Sequence, residues 1–427
     1  MGSRKRYDVA SVRGLYTSLS DGWTYLNVHE RPQIPERVSA AVARSFRTST
    51  AMARPEPGHG SHARPEEPGV AVAAGLLAEA RVAAAELVGG HPEAVVLGPS
   101  LEVLYHSLVL AMRPQLRYRS NLVLSGFGTE AHTAPFRAAG STDIRWAQAD
   151  LGTGALPAWQ YRDLVDGSTR LVAFPAAQSL IGSIVDVAEV VEEVRSRSRA
   201  WVLVDVSAYA PYRLVDIEEW GADIVAVDFA QLGGPKLAAL VFRDPRMFRR
   251  LDSLSPGLGR EDSTAAKLET PISPGLAGGI APTVAHLAHL VDLPVEQVTE
   301  DTTGRERLAY SMGQLSDYLN GLRDSLYQQL GSLPQVHIFG ASGEVAEDTG
   351  YEVERLPRLS FAVRDVPAET VQRRLVSHSL VTGIAPPIPL LREMGAEEIG
   401  GAVTVALGPF TTTADLDHLV RVVASLA

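Results

Sequence analysis

Acidic, amide and hydroxyl side chains follow two apolar runs of the chain. Asp205 follows the run WVLV, Asp228 follows IVAV, and Gln231 lies three residues beyond Asp228. A tyrosine hydroxyl near a buried carboxylate can act as an acid, a base or an anchor, which draws attention to Tyr209. His132 adds an imidazole that can exchange a proton near neutral pH. We predict these five residues as the candidate catalytic groups.

The same residues also have structural interpretations. Asp205 fits a strand-end carboxylate that caps the following turn, and Tyr209 fits a packing aromatic residue with a polar tip. His132 fits a surface residue that caps a helix. The residue types alone therefore predict either acid–base chemistry or local stabilisation at these positions.

A second candidate group surrounds a long loop. The segment 48–68, TSTAMARPEPGHGSHARPEEP, is rich in Pro, Gly and charge, and long loops in compact domains are often functional. We predict His59, His62 and Arg64 from this loop, and Arg392 from near the C-terminus, as substrate-binding residues. His-x-x-His spacing has little geometric meaning in a glycine-flanked loop, so we predict no metal site. The two histidines also fit an ordinary polar loop.

The composition excludes several classes of function. The 427 residues are 45% hydrophobic and 21% charged, as in a soluble protein with two domains. The absence of cysteine excludes disulfides, thiolate metal sites and a thiol nucleophile. A net charge of −11 without a basic stripe argues against nucleic acid and anionic membranes as partners. Without an apolar signal-peptide core at the start, we expect a cytoplasmic protein.

Apolar β-branched runs alternate with helical patterns along the first two thirds of the chain. This alternation predicts an α/β fold with a doubly wound, mostly parallel, seven-stranded sheet. Farther on, a long helix over 308–333 and shorter alternating elements predict a smaller C-terminal α+β domain. We predict an N-terminal arm over 1–30 that packs with the small domain, a large domain over 31–285 and the small domain over 286–427.

The order of these elements resembles the class V aminotransferases of the fold-type I pyridoxal-phosphate (PLP) proteins, and among them the cysteine-desulfurase-like branch. The segment VLGPSLEVLYHSLVLAM resembles the glycine turn and helix that receive the cofactor phosphate. The core signature is similar to WVLVDVSAYAPYRLVDIEEWGADIVAVDFAQLGGPKLAALVF. Three further segments carry the resemblance: TYLNVHERPQIPERVSAAV, TRLVAFPAAQSLIGSIVDVAEVVEEV and LETPISPGLAGG.

The resemblance implies that key cofactor contacts are replaced. The Schiff-base lysine corresponds to Gln231, whose amide cannot form an imine or act as a base. The phosphate-binding serine corresponds to Asp228, and the neighbouring His or Tyr to Ala230. The partner of the pyridinium nitrogen is retained as Asp205, and His132 could stack on the ring after a one-residue shift.

Other family positions are changed as well. Ser100, Ser179 and Ser207 stand as vestigial cofactor-binding positions. The substrate-carboxylate arginine corresponds to about Thr404. Lys236, five residues beyond Gln231, fits a loop lysine better than a relocated Schiff-base lysine. We therefore expect that the chain binds no cofactor.

The resemblance further implies a homodimer with its cleft at the subunit interface. We predict an enzyme that acts without PLP on a small molecule in specialised-metabolite biosynthesis. Persulfide-forming desulfuration is excluded because the chain has no cysteine. One alternative is a lyase or transferase that holds PLP or pyridoxamine phosphate non-covalently. Another is a non-catalytic pseudoenzyme partner, which would have a collapsed or apolar-filled cleft.

Overall fold

The computed structural model describes residues 7–53, 69–138, 143–259, 261–340 and 353–426. Its strands, in chain order, are β1 (Thr24–Tyr25), β2 (Val95–Gly98), β3 (Asn121–Ser125), β4 (Asp143–Ala147), β5 (Thr169–Pro175), β6 (Trp201–Asp205), β7 (Ile224–Asp228), β8 (Ala238–Phe242), β9 (Val336–Ile338), β10 (Arg358–Val363), β11 (Leu380–Val381), β12 (Gly383–Ile384) and β13 (Val403–Ala406).

The α-helices, in chain order, are α1 (Val9–Arg13), α2 (Glu36–Thr48), α3 (Val72–Val88), α4 (Leu101–Ala111), α5 (Glu130–Arg137), α6 (Gln160–Leu164), α7 (Val187–Arg197), α8 (Ile217–Trp220), α9 (Pro274–Ala277), α10 (Ile280–Ala288), α11 (Gly304–Gly331), α12 (Ala368–Ser377), α13 (Pro389–Glu393) and α14 (Thr413–Ala424). In these parts of the chain, no helix has both the length and the apolar character that crossing a bilayer requires.

The central sheet has the strand order β2-β8-β7-β6-β5-β3-β4. Only β8 runs against its neighbours, and the pairs from β7 to β4 are parallel. Strands β6 and β8 are buried along their whole length, because helices cover both faces of the sheet. Apolar clusters fill the space on the two sides of the sheet. The predicted seven-stranded, mostly parallel sheet is confirmed.

A smaller sheet has the order β12-β13-β10-β9 and is antiparallel. The 28-residue helix α11 begins at Gly304, four residues before the predicted start at residue 308. The difference arises from a capping box, in which Thr303 and Glu306 satisfy each other's backbone N–H groups.

The beginning of the chain packs against its C-terminal part, from Tyr318 onwards. Strand β1 pairs in parallel with β11. The Tyr7 hydroxyl donates to the Pro409 carbonyl at 2.7 Å, and its ring stacks on Tyr318 with centroids 4.6 Å apart. Arg13 donates to the Phe410 carbonyl at 2.9 Å. These contacts fix the path of the chain that leads into His29 at the functional site.

Candidate functional site

A cavity of about 440 Å³ lies at the carboxyl ends of β3, β5, β6 and β7. In parallel sheets this edge is where ligands bind, because side chains and helix N-termini converge there. The residues that end β6 and β7, Asp205 and Asp228, line the cavity. Arg358, at the start of β10, and His29 line it from the side of the smaller sheet.

Asp205 is the most heavily bonded group of the cavity. Its Oδ1 accepts hydrogen bonds from the Ser207 backbone N–H at 2.9 Å and from the Ser207 hydroxyl at 2.6 Å. Its Oδ2 accepts from the Tyr105 hydroxyl at 3.2 Å and lies 3.0 Å from His132 Nδ1. A carboxylate offers about four lone-pair positions. Protein donors therefore occupy all of them.

His132 reaches Asp205 from the first turn of α5. Thr129 caps this helix and accepts from the His132 backbone N–H. The imidazole ring meets the Tyr105 ring edge-on, with centroids 5.8 Å apart. Because Nδ1 faces Asp205, Nε2 is the ring nitrogen left for a ligand. Among the described residues, none hydrogen-bonds that nitrogen.

The pair shifts the proton affinity of both partners. Burial lowers the pKa of His132, but the hydrogen bond and charge of Asp205, with the charges of Glu102 and Asp228, outweigh it and raise the pKa overall. Burial likewise raises the pKa of Asp205, but the hydrogen bond and charge of His132 and the Ser207 bonds lower it overall. The pair therefore favours an imidazolium beside a carboxylate.

Asp228 is the N-cap of a short 3₁₀ helix, Phe229–Leu232, at the end of β7, and Gln231 lies within that helix. Asp228 caps this turn and accepts from the Ala230 backbone N–H at 3.0 Å. Burial, assisted by the charge of Asp205, raises the pKa of Asp228. Gln231 lines the cavity, as does Glu102 from the start of α4. Three carboxylic acids thus face one small space.

Comparisons with known proteins identify the family. The family model for class V aminotransferases matches residues 71–260. An uncharacterized protein of Mycobacterium tuberculosis (strain CDC 1551 / Oshkosh) is 36% identical over 426 residues, covering 98% of this chain and 99% of the relative. The aminotransferase-like protein FGM3 of Gibberella zeae is 25% identical, over 79% of this chain and 80% of the relative.

The chain belongs to the class V aminotransferase family. A solved structure agrees with this assignment at the level of the fold. The apo cysteine desulfurase from Thermococcus onnurineus NA1 superposes with a TM-score of 0.78 at 16% identity, covering 100% of this chain and 99% of that chain.

The described lysines of this class V aminotransferase family member do not line the cavity. The chain has three lysines, Lys5, Lys236 and Lys267. Lys5 lies outside the described residues. Lys236 is exposed, and among the described cavity-lining residues none is a lysine. Lys267 is fully buried, with Nζ donating to the Phe248 and Leu251 carbonyls at 2.9 and 3.2 Å.

The structure places several predicted residues in the cavity and others elsewhere. His132, Asp205, Asp228, Gln231, Ser179 and Ser207 line it. Tyr209 lies outside the lining and packs edge-on against Trp220, so its structural interpretation fits better. Ser100 caps α4 by accepting from the Val103 N–H.

The predicted basic residues do not form a described site. Arg392 is exposed on α13, away from the cavity lining, because the helix directs it to solvent. His59, His62 and Arg64 lie outside the described residues.

Sequence reasoning missed Glu102 and Tyr105, which line the cavity from α4, and two more distant residues. Arg358 and His29 line the cavity, although the family's arginine position corresponds to Thr404. Thr404 is buried, and its hydroxyl lies 3.2 Å from that of Ser360 on β10. The only local signal for Arg358 is a charge at the start of an apolar strand. His29 has no signal beyond its place after the YLNV segment.

Proposed function

We propose that this class V aminotransferase family member is an enzyme that acts on a small molecule by acid–base chemistry, without PLP. The observation that carries the proposal is the saturation of Asp205 by four protein donors, one of them the His132 ring. Such a pair provides a proton donor and acceptor at Nε2, which a carboxylate holds in place through Nδ1.

The residues present do not fit PLP in the position that the family resemblance implies. A pyridinium N–H would need a free lone pair on Asp205, and His132 and Tyr105 already occupy Oδ2. Gln231 offers no amine. A phosphate beside Asp228 would meet repulsion, about 4 kcal/mol for unit charges a few ångströms apart at an effective dielectric constant of about 20. No step of the proposed chemistry passes through the cofactor.

The chemistry proposed for His132 is proton transfer at a bound substrate. As an imidazolium, it donates a proton from Nε2 to a developing anion, and the neutral ring can then take a proton back. Asp205 stabilises the charged ring, and Tyr105 and Ser207 hold Asp205 in turn. This preorganisation removes the need for the groups to reorient during the reaction.

The form of the cavity supports an enzyme over a pseudoenzyme partner. A function carried only by the outer surface would tolerate a collapsed or apolar cleft. Instead, a cavity of about 440 Å³ is lined by three carboxylic acids, two histidines and an arginine. Dimensions of this order suit a small metabolite.

We further propose that the protein is a cytoplasmic homodimer in specialised-metabolite biosynthesis. The abundance of Ala, Arg, Val, Pro and Gly, typical of a high-GC actinobacterial gene, supports this setting. The full-length similarity to a mycobacterial protein is consistent with it.

The proposed absence of PLP binding can be tested by spectroscopy. Purified protein is mixed with PLP, desalted and scanned for an aldimine absorbance band. A second sample is reduced with borohydride and digested, so that mass spectrometry locates any adduct. We expect no retained band and no adduct on Lys236, because no described lysine lines the cavity. A retained band that disappears in Lys236→Ala would show that this lysine has taken over the cofactor.

The acid–base role can be tested by turnover. Protein without PLP is incubated with a PLP-depleted actinobacterial metabolite extract, and substrate loss is followed by mass spectrometry. We expect His132→Gln to slow the conversion by roughly 10²–10⁴-fold, the usual contribution of a positioned general acid or base. The matched control is His91→Gln, at an exposed histidine outside the cavity. Equal rates for His132→Gln and wild type would reject the proposed role.

A further inference from the structure

Among the described residues, a buried cation in the cavity has no counter-ion. Arg358 is only 2% exposed, yet it lines the cavity. Throughout the described ranges, no carboxylate forms an ion pair with it. A charge removed from water is unfavourable unless it is paired, so proteins rarely keep such a group without a role. The missing partner points to an anionic group on the ligand.

The hydrogen bonds of Arg358 define which edge of the guanidinium is available. Nε donates to the Tyr212 hydroxyl at 3.2 Å, and Nη1 donates to the Ser179 carbonyl at 3.3 Å. The guanidinium also lies over the Tyr212 ring, 5.0 Å from its centroid, which fixes its plane. One N–H of Nη1 and both of Nη2 remain. One N–H of Nη2 points along the edge that it shares with Nε, where Nε is already engaged, so the Nη1–Nη2 edge is the one that can bind the two oxygens of a carboxylate together.

His29 offers a second donor in the cavity that Arg358 lines. Its side chain is 4% exposed and lines the cavity, and neither ring nitrogen has a hydrogen-bond partner. Glu30 Oε1 lies 3.5 Å from Nε2 without forming a hydrogen bond. Burial lowers the pKa of His29, Glu30 raises it in part, and the Arg358 charge lowers it again. A net lowered pKa leaves a neutral ring with one N–H to donate.

The charges across the cavity limit the anion that fits. Glu102, Asp205 and Asp228 line the cavity, and Arg358 is the permanent cation among the described lining residues. A single negative charge matches one guanidinium. A phosphate dianion would add a second negative charge near three carboxylic acids, which is unfavourable in a partly buried site.

We propose that Arg358 and His29 form a carboxylate-binding subsite, so that the substrate is a small monocarboxylic acid. The Arg358 Nη1–Nη2 edge binds both carboxylate oxygens, and the His29 N–H donates to one of them. The subsite directs the rest of the molecule towards His132 across the cavity. The identification of this acid as the substrate rests on the proposed function, whereas the binding does not.

The experiment is a ligand titration with three matched fluorinated probes. Binding of 4-fluorobenzoate, 4-fluorobenzamide and 4-fluorophenyl phosphate is followed by ¹⁹F NMR at neutral pH. We expect the benzoate to bind at least about tenfold more tightly than the neutral amide, since a bidentate charge-assisted contact favours it. The phosphate is expected to bind no better than the amide.

Variants assign the preference to the subsite. Arg358→Gln is expected to abolish the tenfold preference, and Arg358→Lys to reduce it, because lysine keeps the charge but not the two-pronged edge. His29→Ala is expected to weaken benzoate binding without changing amide binding. Arg373→Gln, at an exposed arginine of α12, is the control and should keep the preference. If Arg358→Gln does not fold, the benzoate binding of Arg358→Lys and His29→Ala tests the subsite instead.

The outcome separates this inference from the proposed function. Equal binding of benzoate and benzamide to wild type, or a preference unchanged in the Arg358 and His29 variants, would overturn the subsite. Benzoate binding that persists in His132→Gln supports the subsite even if turnover is never found. Turnover that needs His132 but ignores Arg358 would leave the acid–base proposal intact and reject the carboxylate.

Discussion

Asp205→Asn is expected to lower the free energy of unfolding by about 2–3 kcal/mol, because it breaks a buried ion pair and a saturated set of hydrogen bonds. The same change should lower the pKa of His132 from its raised value. Burial alone lowers that pKa, and the opposing hydrogen bond and charge of Asp205 would be gone. Urea denaturation measures the first effect, and NMR titration of the His132 ring measures the second.

The stability difference between wild type and Asp205→Asn should depend on pH in a defined way. The lowered pKa of Asp205 contributes stability that is present above the unfolded value of about 4 and is lost as the pH falls through the folded value. The raised pKa of His132 contributes stability that is complete below about 6.5 and is lost as the pH rises through the folded value. The difference should therefore be largest between about pH 4 and 6.5.

A matched carboxylate separates this effect from general charge loss. Asp186 caps α7 by accepting from the Glu189 N–H at 2.9 Å, and asparagine caps helices equally well. Asp186→Asn should change stability by less than about 0.5 kcal/mol at every pH. A His132 pKa that stays raised in Asp205→Asn would mean that the two side chains do not pair in solution.

Asp223→Ala is expected to destabilise the large sheet by about 2–4 kcal/mol. The Asp223 side chain is 8% exposed, and it accepts from the Val202 backbone N–H at 2.8 Å and from Arg243 at 3.1 Å. It also pairs with Arg195. Alanine would leave the buried N–H unsatisfied. The two guanidiniums, about a third exposed, would recover part of their hydration, which limits the loss.

The measurement is urea denaturation of Asp223→Ala and of a control variant, Asp163→Ala. Asp163 is 77% exposed and lies 3.7 Å from Arg197, so its removal should change stability by less than about 0.5 kcal/mol. If Asp223→Ala changed the free energy of unfolding as little as Asp163→Ala, the contacts of the Asp223 carboxylate would not be what holds β6 and β7 together at this end.

The large sheet was predictable because its central strands are local runs of apolar residues. WVLV and IVAV at 201–204 and 224–227 are too apolar for any exposed position, and helical patterns separate them. Helix α10 was missed, since two glycines precede IAPTVAHLA and a proline interrupts it. Its burial against α3 and α11 is a tertiary contact that the local pattern does not contain.

The cavity was only half predictable for the same reason. Asp205 and His132 could be named from residue types after strand and helix boundaries, but their pairing needed the geometry of α5. Arg358 and His29 come from segments more than 300 residues apart in sequence. The smaller sheet and the contacts of the N-terminal segment bring these two residues to one cavity. The residues next to them in sequence do not predict those long-range contacts.

The pairing of β1 with β11 has a consequence for biosynthesis. Tyr25 and Val381 are joined across roughly 350 residues, so the segment leading to His29 has no strand partner until almost the entire polypeptide has emerged from the ribosome. At elongation rates of about 5–20 residues per second, that interval is roughly 20–70 s. During this time the large sheet can form without the ligand pocket. A truncated translation product that stops before β11 would then be a folded scaffold with an open, unfinished cleft.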